Sequence, residues 1–273
     1  MNPTRIVACA VLTVGVACTG DPPASGSPEE GAVAGAPVAP VTVIRKWRHD
    51  RAAWTQGLDF EGGRLYEGTG LEGQSSLREI SLEDDRVLRR VDLAPTVFGE
   101  GITILGDRIY QITWKSRRGF VYDLATFRRV GEFTYEGEGW GLTTDGQSLI
   151  MSDGTATLRF LDPRTYAVQR TLTAREDAGD VSKLNELEWV NGQLWANVWE
   201  TQSIVRIDPA SGRVLGWVNL DGLLTESDRR LYLPPGATVD VLNGIAFDSA
   251  TNRLVVTGKN WPLLYEIRVD SAR

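Results

Sequence analysis

The chain has 273 residues, 36 acidic against 29 basic, for a formal charge of −7, with one histidine and two cysteines. It contains no basic tract, which argues against nucleic acid as a partner. Both cysteines, Cys9 and Cys18, fall within the first 18 residues, so the rest of the chain has no internal disulfide and no thiolate site. One histidine without a companion cysteine leaves no His/Cys zinc site, and neither a metal nor a cofactor is expected.

In chain order, one basic residue precedes an apolar run over residues 6–18, too short to span a bilayer but suited to an export signal. Gly15 and Ala17 ahead of Cys18 resemble a lipoprotein cleavage site, with Cys18 as the lipidated residue and the one membrane contact. An ordinary secretory signal cut somewhat later is the alternative. Either places the protein in the cell envelope or periplasm, or outside the cell. Residues 19–40, rich in Gly, Ala, Pro and Ser, read as a flexible tether. Residues 41–273 are one domain's worth of chain, expected to be a monomer. The run VTVIRKWRHD reads as a strand, with His49 a surface residue on it.

From there one phrase recurs five times: a small turn, an apolar run, a hairpin turn and a second apolar run. The copies are GLDFEGGRLYEG from Gly57, GITILGDRIYQI from Gly101, GLTTDGQSLIMS from Gly141, ELEWVNGQLWAN from Glu186 and GIAFDSATNRLVVT from Gly244. Their starts lie 44, 40, 45 and 58 residues apart, a period that fits four short strands per unit. A second hairpin follows each of the first four copies. PLLYEIRVD alone follows the fifth, whose missing outer strand residues 41–49 would supply, joining the two ends of the domain and removing a sheet edge. The fold expected is an all-β, five-bladed propeller, with no helix pattern competing. The long interval before the fifth copy holds an insertion, residues 225–239, which is expected to overhang one mouth of the channel.

Alignment of the copies registers side chains that are distant in sequence. The position before each first strand holds Gln56, Glu100, Trp140, Asn185 and Asn243. The position four beyond the aligned Tyr66, Tyr110, Ile150, Trp195 and Val255 holds Gly70, Trp114, Gly154, Trp199 and Lys259. Both sets should ring one mouth, the glycines leaving open space. A structural ring tends to repeat one residue type, whereas this one mixes carboxylate, carboxamides, ammonium and indoles, the makeup of a small-molecule site. Bland alternatives exist: Trp140 and Trp199 as wedges between blades, Gln56 as a tie between strand ends, Asn243 as a turn residue before Gly244. Glu100, between two glycines, resists such a reading, because a carboxylate among indoles is costly unless paired or employed. Glu186 and Glu188 are read as structural hydrogen-bonding groups.

WTQGLDF, LYEGTGLEGQSSLR, FGEGIT, IYQITWK, GEGWGLT, LNELE, WANVW, LNGIAFD and VTGKNWP together resemble the plant and bacterial glutaminyl-peptide cyclotransferases, over nearly all of residues 42–267. That resemblance implies a five-bladed propeller enzyme, an acyltransferase converting N-terminal glutamine of peptides or proteins to pyroglutamate with release of ammonia. It implies an active-site set of Gln56, Phe98, Glu100, Trp114, Trp140, Asn185, Trp199 and Lys259. For that reaction a single carboxylate can take the proton from the α-ammonium and give one to the leaving nitrogen, so Glu100 is the expected proton shuttle and the others are expected to bind substrate. Trp54 stands where the family commonly has Phe, Gly68 where Ser is usual and Glu72 where Tyr is usual. The rival reading is a non-catalytic, envelope-tethered propeller that binds peptides or glycans.

Overall fold

The computed structural model describes residues 35–84 and 86–271. The export segment, Cys18 and most of the tether lie outside the described residues. Within the described residues the alternating apolar runs pair as antiparallel hairpins, and two successive hairpins make up each of blades 1 to 4. Blade 1 comprises Thr55–Glu61, Arg64–Thr69, Ser76–Ser81 and Arg86–Asp92. Blade 2 comprises Gly99–Leu105, Arg108–Thr113, Arg118–Asp123 and Arg129–Thr134. Blade 3 comprises Leu142–Thr144, Leu149–Met151, Thr157–Leu161 and Val168–Thr173. Blade 4 comprises Leu184–Val190, Gln193–Val198, Ser203–Ile207 and Val214–Asn219.

Blade 5 takes three strands from the end of the chain, Leu242–Asp248, Arg253–Gly258 and Leu263–Val269, and its outer strand, Val41–Arg48, from the beginning. That strand pairs antiparallel with Leu263–Val269, the expected closure. The tether differs at its last residues: Val38–Ala39 pairs in parallel with Trp217 and Val218, adding a fifth strand to blade 4. The Trp217 N–H donates to Pro37 O at 2.8 Å, and Glu176 accepts from both Ala36 N–H and the Trp217 indole. Open backbone groups on the blade edge, plus one carboxylate, suffice to order a stretch whose composition suggests none.

The innermost strands of successive blades adjoin, and the fifth adjoins the first. The glycine that opens most copies makes this possible. A Cβ on Gly57 would lie 2.5 Å from Ile102 N, and one on Gly101 2.5 Å from Leu142 N, so a side chain there would hold the blades apart. Five apolar clusters fill the five seams; the one joining blades 5 and 1 contains Trp47, Leu58, Phe60, Leu65, Val255 and Leu264. Carboxylates tie the inner strands of different blades together. Glu186 accepts from Leu58 N–H and Ile245 N–H, Asp59 from Ile104 N–H, and Glu188 from Phe247 N–H. Burial pushes all three carboxyls up, Asp59 to about 7.

Two expectations are corrected. His49 is buried rather than on the surface. Its ring lies between the Trp261 carbonyl and the Glu67 carboxylate, each 2.9 Å from a ring nitrogen, and so pins the 259–262 turn onto blade 1. The insertion forms a short helix, Glu226–Tyr232, capped by the Thr225 side chain, which accepts from Asp228 N–H. No residue of the helix lines the cavity at the channel mouth. The helix docks on the outer strands of blade 5, where Asp228 accepts from Lys46 at 2.7 and 2.9 Å and from Tyr265 Oη at 3.3 Å.

Candidate active site

At the mouth the inner strands break register. Blade 1 shifts between Thr55 and Gly57, blade 2 between Gly99 and Ile102, blade 4 between Leu184 and Leu187, blade 5 between Leu242 and Ile245. Gln56, Glu100, Asn185 and Asn243 occupy these irregularities, which free their side chains from the alternation of the strand. Above each break a backbone hydrogen bond closes the blade: Gly70 N to Trp54 O, Trp114 N to Phe98 O, Trp199 N to Lys183 O and Lys259 N to Val241 O, at 2.8–3.0 Å. The two registered sets thus face each other across one mouth.

Between them lies a cavity of about 350 Å³, within the ~300–1,000 Å³ usual for small-molecule sites. Gln56, Phe98, Glu100, Trp114, Trp140, Asn185, Trp199, Lys259 and Trp54 all line it, so sequence register and the implied set converge on one place. Leu71 and Asp240 also line it and were missed. Asp240 is the inner end of the insertion's connection, the part that does reach the mouth. Asn243 is not in the lining. Buried beneath, its Nδ2 donates to Thr55 O at 3.0 Å and to Gln56 Oε1 at 3.3 Å. The glycines of the second ring leave no open space: a Cβ on Gly70 would lie 2.5 Å from the Phe98 ring and one on Gly154 2.7 Å from the Trp140 ring. They make room for aromatic rings. Trp140 and Trp199 meet edge to face at 5.5 Å, as do Phe98 and Trp114 at 5.6 Å.

The polar groups are few. Gln56 Nε2 donates to Glu100 Oε1 at 3.2 Å, and Glu100 Oε2 has no hydrogen-bond partner among the described residues. Burial drives the Glu100 carboxyl well above the usual carboxylate range; the Lys259 ammonium opposes this and the Glu138 charge adds to it. Burial lowers the Lys259 ammonium, with Glu100 and Asp240 pulling it back up. Lys259 forms no ion pair among the described residues, and the Asn185 side-chain amide no hydrogen bond. Glu138, also missed, accepts from the indole N–H of Trp114 at 2.6 Å and of Trp140 at 3.0 Å. No group of three or more His, Cys, Asp or Glu residues among the described residues is arranged to hold a metal ion.

Fold and site define a five-bladed propeller with one aromatic-walled, acid-bearing cavity at the mouth of its channel. A family model described as Glutamine cyclotransferase matches residues 11–269, and the chain belongs to that family. It is 44% identical over 234 residues to the glutaminyl-peptide cyclotransferase of Arabidopsis thaliana, covering 85% of this chain and 72% of that one. The crystal structure of Myxococcus xanthus glutaminyl cyclase superposes with a TM-score of 0.78 at 35% identity, covering 86% of this chain and 98% of the other.

Proposed function

We propose that this chain is a glutaminyl-peptide cyclotransferase that closes the N-terminal glutamine of peptides or proteins into pyroglutamate, with Glu100 as the proton shuttle. The observation that supports it most is Glu100 itself, a buried carboxylate with one oxygen held by Gln56 and the other without a hydrogen-bond partner among the described residues, in a cavity walled by aromatic rings.

In this reading the substrate's α-amine attacks its own γ-carboxamide carbon. The new C–N bond closes a five-membered lactam and the old one breaks. Starting from the ammonium, two protons move: one leaves to make the amine nucleophilic, and one passes from the attacking nitrogen to the departing NH2. The products are the lactam and ammonium, so atoms and charge balance. Glu100 carries the protons in turn. Burial pushes its carboxyl well above the usual carboxylate range, which strengthens it as a proton acceptor towards the substrate ammonium. Lys259 Nζ faces the developing oxyanion without a competing ion-pair partner. The Asn185 amide binds the substrate carboxamide. The rings hold the aliphatic chain folded for attack, the largest service an enzyme can give an intramolecular reaction. Export through residues 1–18, with a lipid anchor at Cys18, would place this activity in the cell envelope.

Incubation with a glutamine-initiated dipeptide should release ammonia stoichiometrically with pyroglutamyl peptide. Peptide binding without ammonia release would favour the non-catalytic binding propeller instead.

A further inference from the structure

Glu138 lies on the connection between the outer strand of blade 2 and the inner strand of blade 3, off both registered rings. Its Oε2 accepts two indole N–H groups, from Trp114 of blade 2 and Trp140 at the start of blade 3. The loop is firmly held: Arg159 Nη2 donates to Glu138 O at 3.1 Å, Gly139 N–H to Trp114 O at 3.1 Å, and Arg159 pairs with Asp153 at 3.2 Å. Gly139 itself has no space for a side chain, with Tyr135 Oη 2.6 Å and Thr113 O 2.9 Å from a Cβ placed there. Each captured indole then meets a further ring, Trp114 against Phe98 and Trp140 against Trp199. One carboxylate oxygen therefore governs the orientation of four of the five rings lining the cavity.

Capture also decides which donors face the substrate. With the Trp114 and Trp140 N–H groups engaged, only Trp54 and Trp199 among the cavity indoles keep an N–H without a hydrogen-bond partner among the described residues. We propose that Glu138 is a positioning residue for the cyclisation, fixing the aromatic wall through two indole hydrogen bonds and leaving Trp54, Trp199, Asn185 and Lys259 as the donors offered to substrate. This rests on the glutaminyl reading of the cavity, so its test has an arm that needs no turnover.

Two variants separate acceptor placement from charge. Glu138→Gln keeps an oxygen at the same reach without the charge, and Glu138→Asp keeps the charge but draws the oxygen back by one methylene. Indole N–H resonances of Trp114 and Trp140, assigned by their disappearance in Trp114→Phe and Trp140→Phe, report the hydrogen bonds in the ligand-free protein. In Glu138→Gln both resonances should stay near their wild-type positions and KM for a glutamine dipeptide within about threefold. In Glu138→Asp both should move upfield, with KM raised roughly tenfold, the equivalent of ~1.4 kcal/mol of lost positioning, and kcat lowered less. Unmoved resonances in Glu138→Asp, or a Glu138→Gln protein that loses both resonances' positions while Glu138→Asp keeps them, would overturn the proposal. Absence of ammonia release by the wild type would sink the glutaminyl reading alone, because the resonances are read without substrate.

Discussion

Replacing Glu100 by Gln tests the chemistry most directly. The amide matches the carboxylate in size, and its Oε1 can go on accepting from Gln56 Nε2, now at 3.2 Å, so neither a cavity nor an orphaned donor results. What disappears is the proton carrier. Loss of a general acid–base normally costs about 10²–10⁴ in rate, a barrier increase of ~2.7–5.5 kcal/mol. Peptide affinity should fall much less, since the ring wall is intact and only the ammonium's charged partner is gone. Stability should move the other way. Because burial raises this carboxyl, its ionised form is disfavoured in the fold, and the neutral amide should hold or raise Tm above neutral pH. The assay is ammonia release from a glutamine dipeptide, coupled to reductive amination and followed by NADH absorbance, with Tm measured on the same samples. A folded Glu100→Gln protein turning over within a few-fold of wild type would refute the shuttle.

Lys259→Met keeps the apolar stem and removes the charge; kcat should fall about 10²–10³-fold. The wild-type decline at alkaline pH, where the burial-lowered ammonium discharges, should vanish from the variant, and an unchanged pH–rate profile would argue against an oxyanion role. Asp59, raised to about 7 by burial, contributes stability that is complete below its unfolded value near 3.8 and is lost as pH rises to about 7. Asp59→Asn should therefore flatten part of the fall in stability between pH 4 and 7, by no more than roughly 4 kcal/mol at ~1.4 kcal/mol per unit; parallel Tm curves against pH would contradict this. Dialysis against strong chelators should leave turnover unchanged, given the lack of a His/Cys ligand set, and a loss restored by zinc would contradict it.

The architecture was legible because a propeller repeats its pattern: five copies of one hairpin gave the blade count, and the outer strand missing after the fifth copy pointed to residues 41–49 as the closing strand. Register alone put Gln56, Glu100, Trp114, Trp140, Asn185, Trp199 and Lys259 at one mouth. Phe98 and Trp54 came only through resemblance, although both stand two residues before a ring position, where the closing backbone bond of the blade places them. Glu138 was invisible to register because it lies on a connection between blades, and its partners are neighbours only once blades 2 and 3 are packed. The helix was overlooked despite a signal in plain sight: Thr225 followed three residues later by Asp228 is a capping pattern, outweighed by the β-rich context. His49 was misplaced because alternation along a strand says nothing about the 259–262 turn that covers its end.

The closure of blade 5 has a consequence for how the molecule is made. Residues 41–48 leave the ribosome before the rest of blade 5, and their antiparallel partner, residues 263–269, is translated more than two hundred residues later. The same early stretch has Val38–Ala39 waiting on blade 4, so both edges flanking the final seam depend on it. Blades 1 to 3 can assemble from local hairpins during synthesis, whereas sealing the circle requires contacts across more than two hundred residues of chain. Completion of the propeller should be the slow, late step, and a nascent chain stalled before residue 263 should hold folded blades around an unsealed, protease-sensitive seam.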